Sequence, residues 1–160
     1  MYREKNSVRR MVVGACLCAL VLLSGCGQQQ NEATDPGFVQ MVNPLVTVNS
    51  VQEMEEQLGY TVPVLEKEVT DYIVLVIDGK ADSGRIRYAD GCDFTIKQGS
   101  GDVSGIYGGT KECEVAIGGI AVSFWVYEDI RYAIWEKDGF AFSLTGAETL
   151  EEDVAELIVQ

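Results

Sequence analysis

Through the second half of the chain, apolar and polar positions alternate with the two-residue period of β-strands, and glycine-bearing turns interrupt them at short intervals. Residues 71–77 (DYIVLVI) are apolar on both alternating sets, which predicts a central strand or one covered on both faces. Residues 78–84 (DGKADSG) read as the connection to a hairpin of 85–88 with 92–97. A two-residue Asp90-Gly91 turn would set Arg87 opposite Phe94. A three-residue loop, Ala89-Asp90-Gly91 with Gly91 left-handed, instead pairs Tyr88 with Cys92 and Ile86 with Phe94, and is preferred. A Gly118-Gly119 turn pairs Ile117 with Ile120, Val115 with Val122 and Cys113 with Phe124. By the same reasoning, a Lys137-Asp138-Gly139 loop pairs Ile134 with Phe142 and Tyr132 with Leu144.

Helical spacing marks the two ends of this strand-rich region. Ser50-Val51-Gln52-Glu53 is a capping box, Val51, Met54 and Leu58 share one face, and Gly59 supplies the stop. Thr149-Leu150-Glu151-Glu152 is a second box, opening a helix with the apolar stripe Leu150, Val154, Leu157 and Ile158. These elements predict an α+β domain over residues 41–160. Its sheet would be an antiparallel meander of about six or seven strands, with an N-terminal and a C-terminal helix packed on one face.

A different pattern precedes that domain. Arg3, Lys5, Arg9 and Arg10 come before an apolar run over residues 11–23, which is 13 residues long. A membrane-spanning helix needs about 20. The run ends in Leu23-Ser24-Gly25-Cys26 and then turns polar, which resembles the lipobox of a bacterial lipoprotein signal peptide. That resemblance implies cleavage between Gly25 and Cys26 and a diacylglycerol on Cys26, placing the chain on the extracytoplasmic face of the cell membrane. Two acyl chains hold stably where one holds marginally. Residues 26–40 are rich in Gln, Asn and Gly and read as the lipidated cysteine followed by a flexible tether.

Charge narrows the partners. The chain has 12 basic and 25 acidic residues. Residues 1–25 hold four of the basic and one of the acidic residues, so the remainder carries 8 against 24, a net charge of −16. Such a surface disfavours nucleic acid, whose phosphates need Lys and Arg. The acids are scattered, as a solubilising surface requires. No histidine is present, which removes the commonest general base and the usual zinc and haem ligands; no cofactor is implied.

Cys16 and Cys18 fall in the expected signal peptide, leaving Cys92 and Cys113 beside Cys26. If 92–97 and 111–117 are antiparallel neighbours, Cys92 and Cys113 lie about 13 Å apart along the ladder. A disulfide needs Cα atoms within about 7 Å. Two buried free thiols are therefore preferred to a bridge. Residues 78–82 lack the ligand spacing of a calcium loop and read as a solvated turn. The glycine-rich stretch 98–109 lacks the ending of a phosphate cradle and reads as a flexible connector. Glu128-Asp129 and Glu151-Glu152-Asp153 are explained by a turn and a helix start. Trp125 and Tyr127 alternate with Phe124 and so face away from it. Trp125, Tyr127 and Trp135 are the candidate ligand or partner face, although cross-strand pairing is the preferred account of these aromatics.

The C-terminal half also resembles the DUF4367-type module of bacterial lipoproteins. The matching residues are Arg87-Tyr88-Ala89-Asp90-Gly91, Gly101-Asp102-Val103-Ser104-Gly105 and Trp135-Glu136-Lys137-Asp138-Gly139-Phe140-Ala141-Phe142-Ser143-Leu144, with acids opening a final helix. The resemblance covers residues 70–160 and implies a small extracytoplasmic α+β domain without catalytic residues. Cys92 and Cys113 are outside its pattern. The leading expectation is a lipid-anchored, non-enzymatic domain that binds a protein or envelope component. A lipid or glycan carrier with an apolar pocket comes second, and a carboxylate-only hydrolase third.

Overall fold

The computed structural model describes residues 43–146 and 150–160. Gly25, Cys26, the tether and Thr149 of the second capping box lie outside the described residues. Eight antiparallel strands form one sheet: β1 (Leu45–Val48), β2 (Val69–Ile77), β3 (Lys80–Tyr88), β4 (Asp93–Gln98), β5 (Thr110–Ile117), β6 (Ile120–Tyr127), β7 (Ile130–Lys137) and β8 (Phe140–Thr145). Helix α1 (Val51–Leu58) lies between β1 and β2, and α2 (Leu150–Val159) follows β8. Among the described residues no helix is long and apolar enough to cross a membrane.

The α+β class holds, with one strand more than the upper expected number. The added strand is β1, whose four residues pair with β2 in the register Val46↔Val74 and Val48↔Tyr72. The order across the sheet is β1-β2-β3-β4-β8-β7-β6-β5. Each half is a run of sequential neighbours, and the halves join where β4 pairs with β8. The expected adjacency of β4 and β5 is therefore corrected: β5 is the far edge strand, separated from β4 by three strands.

The hairpins with glycine turns set which residues meet. Ile86 pairs with Phe94, and Tyr88 N–H donates to Cys92 O at 2.9 Å, as the three-residue loop requires. The Gly118-Gly119 hairpin has the expected register from Ile117 to Cys113, beyond which a shift sets Lys111 against Trp125. The β7–β8 hairpin does not. Asp138 (φ 53°) and Gly139 (φ 82°) both take left-handed backbone, so the turn is a two-residue type I′ turn. It pairs Lys137 with Phe140, Trp135 with Phe142 and Ala133 with Leu144. A one-residue change of loop length moves every β7 side chain to the other face. Likewise only Asp78-Gly79 forms a turn within 78–84, and β3 begins at Lys80.

In this register two lines of paired positions cross the sheet on one face: Val74, Gly84, Ile96, Phe142, Trp135 and Val122, and beside them Tyr72, Ile86, Phe94, Leu144, Ala133 and Phe124. Both helices cover this face, for Met54 of α1 and Leu150, Val154, Leu157 and Ile158 of α2 share its buried core. Ser50 Oγ accepts from Glu53 N–H at 3.2 Å and caps α1. Gly84 lets α1 come close: a Cβ there would stand 2.9 Å from both Met54 Sδ and Leu58 Cδ1. The segment between α1 and β2 is tied to α2. Val64 and the Gln160 carboxamide exchange two hydrogen bonds, Glu66 N–H donates to Glu156, and Lys67 pairs with Asp153 at 2.6 Å. β2 is interior to the sheet but covered only in part. Val74 is fully buried, whereas Ile77 is exposed on the face without helices.

Candidate functional site

The helix-free face takes the alternate residues: Arg85 on β3, Asp93 and Thr95 on β4, Ser143 and Thr145 on β8, Tyr132 on β7 and Trp125 on β6. It is polar at the centre and aromatic toward β6. The 11 residues between β4 and β5 cross it as a strap. β5 runs parallel to β4 with three strands between, so the connection has to traverse a face, and the other face is occupied by the helices. Residues 98–109 were expected to form a flexible connector. The strap is irregular, but hydrogen bonds hold it at several points. Gly99 N–H donates to Gly139 O, and Gly101 N–H to Glu136 Oε1 at 2.9 Å. Within the strap, Ser104 N–H donates to Asp102 Oδ1 and Ile106 N–H to Ser104 Oγ. From the sheet, Tyr132 O–H donates to Gly108 O at 2.8 Å. Gly109 closes it, with φ 108° and no room for a Cβ, which would stand 2.9 Å from Tyr132 Oη.

Beneath the strap lies a pocket of about 230 Å³, lined by Arg85, Asp93, Thr95, Ser104, Gly105, Ile106, Ile130 and Thr145. Three polar atoms on this face are buried without a hydrogen-bond partner: Asp93 Oδ1, Trp125 Nε1 and Ser143 Oγ. Arg87 Nε stands 3.4 Å from Asp93 Oδ1, near enough to offset its charge but outside hydrogen-bond geometry. Orphaned buried groups are uncommon because each forfeits a hydrogen bond to water.

The candidate aromatics part company. Trp125 is half-buried and stacks on Tyr132 with ring centroids 6.4 Å apart, on the helix-free face as expected. Tyr127 is on the same face and exposed, next to the exposed Ile130. Trp135 is corrected: the type I′ turn puts it on the helix-covered face, 3% exposed and stacked on Phe142 at 5.4 Å. Tyr107, on the strap, is 96% exposed and was not singled out by the sequence; its signal is an aromatic side chain inside an otherwise glycine-rich irregular stretch. Arg85, Thr95 and Thr145 had no distinguishing signal, since each reads as an ordinary outward position of a strand.

Both thiols are free, but they are not alike. Cys92 is buried and Cys113 is exposed on β5, which corrects the expectation of two buried thiols. The residue pairs Cys113↔Phe124, Phe124↔Ala133, Ala133↔Leu144 and Leu144↔Phe94 count four strand spacings, about 19 Å, between Cys113 and the strand that follows Cys92. No bridge spans that distance. Cys92 Sγ lies 3.5 Å from Asp90 Oδ2, and Lys67 Nζ is 3.7 Å away. Burial, with Asp90 adding to it, pushes the Cys92 thiol up to about 12. It is an inert thiol.

Several carboxylates are engaged by cations. Lys67 joins Asp90 at 2.9 Å to Asp153, and its hydrogen bond holds Asp90 below the usual carboxylate range. Arg131 does the same for Glu151, pinning the start of α2 at 2.7 Å. Among the described residues no group of three or more His, Cys, Asp or Glu converges as a metal site. In comparisons with known proteins, the chain matches no family model, no curated protein and no solved structure.

Proposed function

We propose that this chain is a lipid-anchored extracytoplasmic domain, of the DUF4367 type, that binds a protein or envelope partner through the helix-free face of its sheet. Cys26 supplies the anchor. One observation carries the binding reading: on the strapped side Tyr107, Tyr127 and Ile130 stay exposed, while the helical side is packed shut around Met54, Phe94 and Val154 and opens toward the β5 edge. Exposed tyrosine beside aliphatic surface is the composition of protein interfaces. A carrier would keep apolar space between sheet and helices, where these side chains are instead fully buried. Proton-transfer chemistry favours carboxylates raised toward neutrality, whereas Asp90, Glu114 and Glu151 are lowered by their cations.

A photo-crosslinking side chain at Tyr107 or Tyr127 in the full chain, with Cys26 intact in its native membrane, tests the reading. A stoichiometric protein or envelope adduct supports it, and recovery of lipid alone overturns it. Cys26→Ala tests the anchor separately: release to the medium or accumulation of unprocessed chain is expected, and membrane retention of a cleaved form would contradict it.

A further inference from the structure

Arg85 is out of keeping with its surroundings. Among the described residues Lys67, Arg87, Lys97, Lys111 and Arg131 each pair with a carboxylate, and Lys137 Nζ donates to Ile158 O. Two cations remain. Lys80 is exposed beside a turn, but Arg85 is half-buried, with Nη2 3.6 Å from where a Cβ on Gly105 would stand. A guanidinium without an anion is unexpected in a chain with about three acids for every base beyond residue 25. It lines the pocket under the strap together with the partly exposed Asp93 carboxylate, and Thr95, Ser104 and Thr145 add hydroxyl groups.

We infer that this pocket binds a small carboxylate compound with a hydrogen-bond donor beside the carboxyl group, of amino-acid or hydroxy-acid size. Arg85 takes the carboxylate, since its planar fork matches two oxygens at once. The partly exposed Asp93 carboxylate accepts from the ligand's ammonium or hydroxyl group, and the Arg87 contact keeps that acid from repelling the bound anion. A phosphate monoester fits less well. It carries about −1.5 to −2 charges and would face Asp93 with one guanidinium to offset both. The volume, about 230 Å³, lies below the ~300–1,000 Å³ of pockets for drug-sized molecules. The site adjoins the partner surface proposed above and shares Ile130 with it, but it uses the polar groups beneath the strap rather than the exposed tyrosines.

Titration of the full chain with L-alanine, lactate, acetate and inorganic phosphate, followed by calorimetry, tests the assignment. Alanine or lactate should bind saturably, and acetate and phosphate more weakly. Arg85→Gln should weaken binding about tenfold or more, the loss of a charge-assisted hydrogen bond. Lys80→Gln, which removes the same charge from an exposed turn, should leave it unchanged. Arg85→Lys, which keeps the charge and loses the fork, should also weaken it and stands in if the glutamine variant fails to fold. Absence of saturable binding by both alanine and lactate, tighter binding of phosphate than of either, or a folded Arg85 variant that binds as well as the wild-type chain would each overturn the proposal.

Discussion

Trp135 and Trp125 stand on neighbouring strands, and each lies nearly parallel to an aromatic ring across a strand pair. Trp135 meets Phe142 at 5.4 Å and 6°, while Trp125 meets Tyr132 at 6.4 Å and 17°. The first pair is on the face that α1 and α2 cover, in a core that continues through Phe94 and Phe142. The second is covered by an 11-residue strap and leaves the Trp125 Nε1 group without a partner. Similar local pairing thus ends in different environments, decided by what packs on top. Two helices exclude water and complete an apolar core; a glycine-rich strap leaves polar atoms, a pocket and exposed tyrosines. Stability is concentrated on the first face, and binding capacity on the second.

The largest expected effect contrasts the two tryptophans. Trp135→Ala empties a buried site and should lower unfolding free energy by about 3–5 kcal/mol. Trp125→Ala, at a half-buried position, should cost about 1–2 kcal/mol, within the usual span for single substitutions. Urea titration of both variants reads the difference directly. Equal losses would mean that the strap protects its face as well as the helices protect theirs. Gly84→Ala probes the covered face from the backbone. Its new methyl would stand 2.9 Å from Met54 Sδ and Leu58 Cδ1, and overpacking of this kind costs about 1–3 kcal/mol. A neutral result would show that α1 can move outward without loss.

Which tryptophan went where was only half legible in the sequence, and the reason is local. Gly118-Gly119 admits one economical turn, so the β5–β6 register follows from the sequence, and Trp125 falls on the face away from Phe124 as expected. Lys137-Asp138-Gly139 is compatible with both a two- and a three-residue loop. The alternation in β7 does not choose between them, because Tyr132 and Ile134 are as apolar as Ala133 and Trp135. The choice rests on the fit of Trp135 between Phe94 and Phe142, and Phe94 arrives from a strand about 40 residues earlier. The β4–β8 adjacency is equally non-local, since no turn connects those strands. The pocket inherits that illegibility in part: Arg85 and Thr95 already meet in the β3–β4 hairpin, but Thr145 joins them only once β8 lies beside β4 and the strap crosses above.

Tyr132 links the two halves of this picture, because its ring stacks on the open face while its hydroxyl holds the strap. Tyr132→Phe keeps the ring and removes the bond to Gly108 O, so the stability loss should be about 0.5–1.5 kcal/mol. The sharper readout is hydrogen exchange at Ser104 and Ile106, whose amides are bonded within the strap. Their exchange should accelerate while that of Phe94 and Phe142 stays unchanged. If strap protection is unaltered, the Gly99 and Gly101 contacts suffice to hold it.

The two cysteines test where the helical cover ends, with the smallest effect on stability. Cys113 shares the core-side row of Phe124, yet it is exposed because the cover gives out along β5, where Ile117 still packs on the core and Val115 is already open. Iodoacetamide added to the folded chain should label Cys113 and spare Cys92, read peptide by peptide by mass spectrometry; native labelling of Cys92 would mean that its corner opens. The same burial sets a pH dependence. The Cys92 thiol is raised to about 12 in the fold, against about 8.5 in an unfolded chain. The fold therefore holds its proton more tightly than the unfolded chain, and the resulting stabilisation is complete below about pH 8.5 and is lost as pH rises toward 12. Cys92→Ala should flatten that alkaline decline. An equal alkaline slope in the wild-type chain and Cys92→Ala would assign the decline to other groups, with the half-buried Tyr60 and the buried Tyr88, each raised to about 12, as the next to test.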